Sequence, residues 1–391
     1  MRQRTSSLLL ATLLFALASS AKPVPAPRIV DLTAADGTKL KATYFSAGKP
    51  GPGVLLLHQC NRQRKVWAPL AQALAESGLN VLTLDFRGFG ESGGTPFDKL
   101  TPAEATQVLA EKFPADVDTA FQFLLSQPGV KRDVMGAGGA SCGVNQSIQL
   151  ARRHPEVKSL VVLSGSTDRD GRQYLRQAKL PLFMSAADDD GPTVEYMQWM
   201  FSLSSTPGNH FQRYAVGGHG IEMFAPHPEL TGLVVDWFHT TLLKTPGRAA
   251  SGQAVQEAQR GPNMLDLIDQ PEGAVKAARM LAEARQRDPK ASLFSEALVN
   301  QIGYEHLQSG DVAGAIEIFQ LNVSGYPNSP NVYDSLSDAY LADGQNDLAR
   351  ENAEKALLLL ASDTADPEAR KQAIRDSAEQ KLKQLGPAPR Q

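Results

Sequence analysis

Cysteine is almost absent from this sequence: only Cys60 and Cys142 occur among 391 residues. Two thiols cannot make a disulfide framework, so a chain of this length has to be held by an apolar core. Long apolar runs are missing as well. The stretch from Leu8 to Leu17 falls short of the ~20 residues a membrane-spanning helix needs, and no later stretch reaches that length. Neither sign of charge dominates, with 39 Lys and Arg against 42 Asp and Glu and a formal net charge of -3, so nothing in the balance points to nucleic acid. What remains, 42% hydrophobic and 21% charged residues, is the composition of a globular chain.

At the N-terminus, Arg2 and Arg4 precede the Leu8 to Leu17 stretch, and Ala18-Ser19-Ser20-Ala21 follows it. This order reads as a secretory signal peptide over 1–21, cut after Ala21, and predicts an exported protein, periplasmic or secreted. No cysteine lies near the cut to take a lipid anchor. Composition changes near residue 245, which divides the remainder into a first domain over 22–244, a linker over 245–262 rich in Gly, Ala, Gln and Arg, and a second domain over 263–391.

The first domain alternates strand and helix patterns. Ile29 to Leu32 and Lys39 to Phe45 alternate polar and apolar residues around the turn Ala35-Asp36-Gly37, which predicts a hairpin. A continuous apolar run follows at Gly53 to His58, and further strands are expected at Leu79 to Asp85, Val134-Met135, Ser159 to Ser164, Pro181 to Ser185 and Phe211 to Val216. Runs apolar at every position suit strands buried on both faces of a parallel sheet. Helical spacing appears at Trp67 to Ser77, at Ala115 to Leu125, after Ser141 and around Leu230 to Leu243. The order predicts an α/β fold with a doubly wound, mostly parallel sheet whose reactive groups gather at the carboxyl ends of the strands.

Gly139-Ala140-Ser141-Cys142-Gly143 joins one of these strands to the helix that begins near Val144. A serine between two glycines suits a strained strand-to-helix turn, because side chains at the flanking positions would collide with the adjoining strand and helix. Other motifs agree in order: Asp85-Phe86-Arg87-Gly88-Phe89-Gly90-Glu91-Ser92-Gly93, Pro181 to Asp190, and Gly217-Gly218-His219-Gly220. With them, residues from about 29 to 244 resemble an α/β-hydrolase, nearest to the dienelactone-hydrolase-like branch, and share its chain order of Ser, Asp and His.

The resemblance implies a nucleophile at Ser141, a base at His219 and an acid among Asp188 to Asp190. Counting from Pro181 gives Asp190, and a strand one residue shorter gives Asp189. It also implies oxyanion donors at the backbone amides of Cys142 and Cys60, although Gln59 stands where the family usually has glycine. If both amides serve one oxyanion, the two cysteines are close enough either to form a disulfide or to sit as neighbouring thiols. His58 ends an apolar strand and reads as structural. The short connection from Gly165 to Leu180 leaves no room for a helical lid, so an open site is expected, partly covered by Thr95 to Phe113. Trp67, Trp199, Met200, Phe201 and Trp237 read as core before pocket lining.

Beyond the linker every pattern is helical. Val299, Ile302, Gly303, Gly310, Ala315, Phe319 and Pro327 follow the spacing of a 34-residue tetratricopeptide repeat. Tyr333, Leu336, Tyr340, Gly344, Ala349 and Ala356 continue it, and Ala277, Leu281, Ala284 and Pro289 fit half of an earlier copy. The segment resembles tetratricopeptide modules, which implies either a protein or peptide partner or a structural role beside the first domain. Taken together, the sequence predicts a serine hydrolase acting on a small-molecule ester, or alternatively an amide, and calls for no metal or organic cofactor. The reading from another class is a catalytically silent hydrolase fold that presents its helices to a protein partner.

Overall fold

The computed structural model describes residues 24–245, 263–364 and 366–386. The expected signal peptide and all but the first residue of the expected linker lie outside the described residues. Among these residues one sheet contains eight strands: β1 (Arg28–Thr33), β2 (Lys39–Phe45), β3 (Gly51–Leu57), β4 (Asn80–Asp85), β5 (Val130–Ala140), β6 (Val157–Leu163), β7 (Leu182–Ala187) and β8 (His210–Tyr214). Their order is β1-β2-β4-β3-β5-β6-β7-β8. The β1–β2 hairpin lies at one edge, β2 runs antiparallel to β4, and the pairs from β4 to β8 are parallel. Every residue of β3, β4 and β7 is buried, the polar Asn80, Thr83, Asp85 and Ser185 included, as befits strands covered on both faces.

Among the described residues seven α-helices accompany this sheet: α1 (Ala68–Ser77), α2 (Pro102–Gln107), α3 (Phe113–Ser126), α4 (Cys142–Arg153), α5 (Arg169–Gln177), α6 (Thr193–Leu203) and α7 (Glu229–Phe238). Leu70 and Leu74 of α1 and Leu230, Val234 and Phe238 of α7 pack with Val54 and Leu56 on one face. On the other face, α3, α4 and α6 pack with Leu55, Leu57, Ala137 and Met184. The sequence reading has no helix at α5, whose nine residues contain only one buried aliphatic side chain, Leu175. Its start is fixed by a cap, the Asp168 carboxylate accepting from the Gly171 amide at 2.8 Å, and not by apolar periodicity.

Helices account for all the regular structure described beyond residue 262: α8 (Met264–Ile268), α9 (Gly273–Arg287), α10 (Glu296–Gln308), α11 (Val312–Gly325), α12 (Pro330–Ala342), α13 (Asn346–Leu360) and α14 (Glu368–Leu385). The pairs α10–α11 and α12–α13 start at residues 296 and 312 and at 330 and 346, so each helix recurs after 34 residues. Where α10 crosses α11, a Cβ on Gly303 would meet the Phe319 ring at 2.5 Å, which is why a small residue sits there. Ser337 holds the equivalent place in the second pair, and its hydroxyl donates to the Ala349 carbonyl at 2.6 Å.

These helices do not stand apart from the sheet. Leu265, Ile268, Leu298 and Ile302 belong to the same buried apolar cluster as Leu55, Met184 and Trp199. At the heart of the contact is Arg172 of α5, with no exposed surface. Its guanidinium donates to Asp269 at 2.7 and 3.1 Å, to the Thr167 carbonyl at 3.0 Å and to Glu305 of α10, and it lies 4.7 Å over the Trp199 ring. Burial pushes the Glu305 carboxyl above its ordinary range, and the arginine opposes that shift. Removing one partner from a buried ion pair strands the others, at a cost of about 3 to 5 kcal/mol. Arg172→Ala is therefore expected to lower unfolding free energy in urea titrations by about that amount. Removing Asp170 from its exposed pair with Arg152 should cost no more than about 1 kcal/mol.

Candidate active site

β5 ends at Ala140 and α4 starts at Cys142, so the chain reverses from strand to helix at Ser141 alone. The turn holds Ser141 at φ 52° and ψ -120°, a left-handed backbone that a non-glycine residue adopts at a cost of about 1 to 3 kcal/mol. Its amide donates to the Leu163 and Ser164 carbonyls at 3.0 Å each, which ties the turn to β6. The flanking glycines are required by contact. A Cβ at Gly139 would lie 2.0 Å from the Gly143 carbonyl oxygen, and one at Gly143 would lie 2.4 Å from the Leu57 carbonyl oxygen.

The three consecutive aspartates after β7 have separate partners. Asp188 pairs with Arg213 at 2.5 Å, and Asp189 accepts from the Gly217 and Gly218 amides at 3.0 Å each. Asp190 meets His219 Nδ1 with both oxygens at 2.9 Å. That bond fixes the proton on Nδ1 and leaves Nε2 to accept one. The hydrogen bond from His219 to Asp190 also raises the imidazole pKa above its ordinary value, outweighing the opposing effect of partial burial. Gln59, where the resemblance leads to glycine, is buried and accepts from the Ile221 amide at 3.0 Å. It thereby anchors the far side of the histidine loop, as Asp189 anchors the near side. Neither bracing contact was visible in the sequence, where an aspartate run and a lone glutamine carry no spacing signal.

The other histidines are engaged elsewhere. His58 is fully buried, accepts from the Phe86 amide at Nε2 and therefore donates from Nδ1 to the Gln59 carbonyl, and burial lowers its pKa to about 4. His154 meets Asp118, His210 meets Gln212, His227 meets the Val216 carbonyl, His239 the Ser77 carbonyl and His306 Asp311.

Cys60 and Cys142 are joined in a disulfide, with Cα atoms 5.9 Å apart, so the sulfurs are not the pair of thiols that the sequence left as an alternative. The bond ties the segment after β3 to the first residue of α4. As the opening residue of a helix, Cys142 has an amide with no intrahelical acceptor.

Ser141, Cys142 and His219 line one cavity of about 760 Å³, within the size range of small-molecule sites. Thr106, Leu109 and Ala110 cover part of it, as expected for the Thr95 to Phe113 segment. The expectation of an otherwise open site needs correction. Leu298, Gln301, Tyr304, Glu305 and Gln308 of α10 also line the cavity, so cover arrives from more than a hundred residues downstream and not from the short 165–180 connection. Trp67, Trp199, Met200 and Phe201 are buried core, and Trp237 packs against the α1–α7 side.

A mostly parallel sheet with helices on both faces, a strained serine at a strand-to-helix turn, and Ser, Asp and His in that chain order define the α/β-hydrolase fold. Comparison with known proteins agrees: a family model described as alpha/beta hydrolase fold matches residues 52–219. A thiohydrolase, aneE, from Aspergillus aculeatus is 30% identical over 113 residues, 29% of this chain and 33% of that protein. An uncharacterised Mycobacterium tuberculosis protein is 33% identical over 139 residues, 35% of this chain and 45% of that one. The chain thus spans less than half the length of either relative. Among solved structures, the Pyrococcus furiosus esterase Pf2001 aligns with a TM-score of 0.47 at 20% identity, covering 56% of this chain and 91% of that one. A dienelactone hydrolase from Anabaena variabilis aligns with a TM-score of 0.44 at 20% identity, covering 56% and 100%.

The disulfide closes a loop with a sequence separation of 82, for which the chain-entropy account gives about 4.5 kcal/mol. Protein purified without reductant should show no free thiol when denatured, and two after reduction, with a matching fall in melting temperature. Two thiols in the unreduced protein would contradict the bond.

Proposed function

We propose that the protein is an exported serine hydrolase that cleaves carboxylic esters, with amides as the alternative bond, through an acyl-enzyme on Ser141. The observation that carries this reading is the strained serine sharing a cavity with a histidine whose Nδ1 is held by an aspartate. In the reaction, Ser141 Oγ bonds to the acyl carbon as its proton passes to His219 Nε2. The bond to the leaving alcohol then breaks, and His219 returns the proton to that oxygen. Water repeats the sequence on the acyl-enzyme: its proton goes to His219, its oxygen bonds to the acyl carbon, and Ser141 departs with the proton, releasing the acid. The Cys142 amide, free of an intrahelical acceptor on the cavity wall, supplies a hydrogen bond to the charge that develops on the carbonyl oxygen; the Cys60 amide is the second donor on the resemblance alone, since Cys60 does not line the cavity.

Export rests on the N-terminal pattern, and the disulfide is consistent with an oxidising compartment. The 34-residue recurrence from α10 to α13 supports a tetratricopeptide-like reading of the helical region. Because α10 already lines the cavity, we assign that region to the catalytic unit before any protein partner.

Treatment with a fluorophosphonate probe tests the reading. Covalent labelling of the native chain, lost in Ser141→Ala, is the expected result; folded protein that takes no label would turn the assignment to the silent scaffold.

The acid and base can be tested by pH. His219 has to be neutral to accept the serine proton, and its pKa is raised, so kcat/KM should climb with pH with a midpoint above the ordinary 6.5. Asp190→Asn removes the main cause of that shift and presents the wrong tautomer, so it should move the midpoint down and cut kcat by about 10⁴. Asp188→Asn, which loses only a surface pair with Arg213, should stay within a few-fold of the parent. Equal rates in both variants would remove Asp190 from the mechanism.

A further inference from the structure

Helix α10 presents two faces with different duties. Val299, Ile302, Gly303 and His306 are buried away from the cavity, whereas Gln301, Tyr304, Glu305 and Gln308, together with the buried Leu298, fall at helical spacing on the face that lines the cavity with Ser141 and His219. The opposite wall includes Asn145, Gln146, Thr167 and Tyr196. The polar lining is therefore mostly amide and hydroxyl groups.

Its charged members besides His219 are Asp168 and Glu305, and among the described residues no lysine or arginine lines the cavity. Both carboxylates are already held by the protein's own donors. Asp168 accepts from the Gly171 amide, from Gln149 at 2.6 Å and from Asn145 at 3.1 Å. Glu305 accepts from Gln301 at 3.0 Å and from Arg172, which is fully buried behind it. A second anion entering this space would face two carboxylates with no exposed cation to pair with, whereas a neutral acyl chain could bond to the Gln146 side-chain carbonyl oxygen, which is buried without a partner, and to the Gln308 amide.

Resting on the hydrolase reading above, we infer that the α10 face Leu298/Gln301/Tyr304/Glu305/Gln308 is the specificity wall of the site, selecting esters with uncharged, hydrogen-bonding acyl groups and rejecting those that carry a free carboxylate. The helical region is on this account part of the substrate pocket. Specificity is then set by a segment outside the part of the chain that performs the bond chemistry.

The test uses the full chain and three 4-nitrophenyl esters: the acetate, and a matched pair made from a six-carbon diacid, one ending in a carboxamide and the other in a free carboxylate. The pair differs in charge and hardly in shape. The expected result is acetate turnover together with a kcat/KM for the carboxamide ester higher than for the carboxylate ester by on the order of tenfold. In Gln308→Lys, which places a cation on this wall at the end of a helix where lysine is well tolerated, the carboxamide-to-carboxylate ratio should fall by a similar factor. Acetate turnover with a ratio near one, or a ratio unmoved by Gln308→Lys, would overturn the specificity wall and leave the hydrolase reading standing. No acetate turnover and no Ser141-dependent labelling would overturn both.

Discussion

The turn at Ser141 is the constraint from which the rest of the site follows. β5 and α4 approach so closely there that Gly139 and Gly143 almost touch, and the space left for the intervening residue is a left-handed backbone that serine adopts only when its surroundings impose it. The imposing groups are identifiable: the Leu163 and Ser164 carbonyls accept the Ser141 amide, and the Leu57 carbonyl closes over Gly143. Each belongs to β6, to the residue just after it, or to β3, the two strands that flank β5 in the sheet. The sheet therefore bears the strain, and its parallel register sets where the serine emerges. The disulfide adds a covalent restraint at the next residue, joining α4 to the segment after β3.

The second fixed point is Arg172, which lies on a helix with almost no apolar residues yet is wholly buried. A guanidinium tolerates such a place only if its donors are satisfied, and here a carbonyl of its own region, Tyr196, and carboxylates from the helical region share the task. Hydrophobic contact with Leu265 and Ile268 would be served by several arrangements of the helices. The planar fork of Arg172 between Asp269 and Glu305 is satisfied in one. Glu305 is therefore both a clasp for the helical region and a member of the cavity wall, which ties the docking of α10 to the shape of the site.

Much of this was legible in the sequence where physical periodicity was strong. The eight strands, the hairpin at the start, and the helices α1, α3, α4 and α7 follow from apolar runs and 3.6-residue spacing, and the start of β5 at Val130 instead of near Val134 is a boundary shift. The elbow was legible because two glycines around a serine have a steric meaning that does not depend on context. Which aspartate faces His219 was not, because three identical side chains in a row differ only in where the strand ends. The cavity roof was hidden for another reason. Packing positions such as Val299, Ile302 and Gly303 mark the buried face of α10 and leave Gln301, Glu305 and Gln308 looking like a solvated surface. Local sequence says which face of a helix is free; the partner of that face is set by tertiary docking through Arg172, which nothing in the local pattern marks as buried.

Because the cavity is built from both sides of that contact, occupancy and docking are thermodynamically linked. A ligand touching Ser141 on one wall and Gln301 or Gln308 on the other binds only the docked arrangement, and so stabilises it by RT ln(1 + [L]/Kd). The converse also holds. Any change that lets α10 detach for part of the time weakens apparent affinity by the fraction still docked, while the elbow, held by the sheet, keeps its geometry in both arrangements. On the proposed hydrolase reading, loss of docking would appear first in KM for substrates long enough to reach α10, with the chemistry of small acyl groups at Ser141 least affected. The division follows from the two fixed points: strain in the sheet positions Ser141, and a buried ion cluster positions the α10 wall of the cavity.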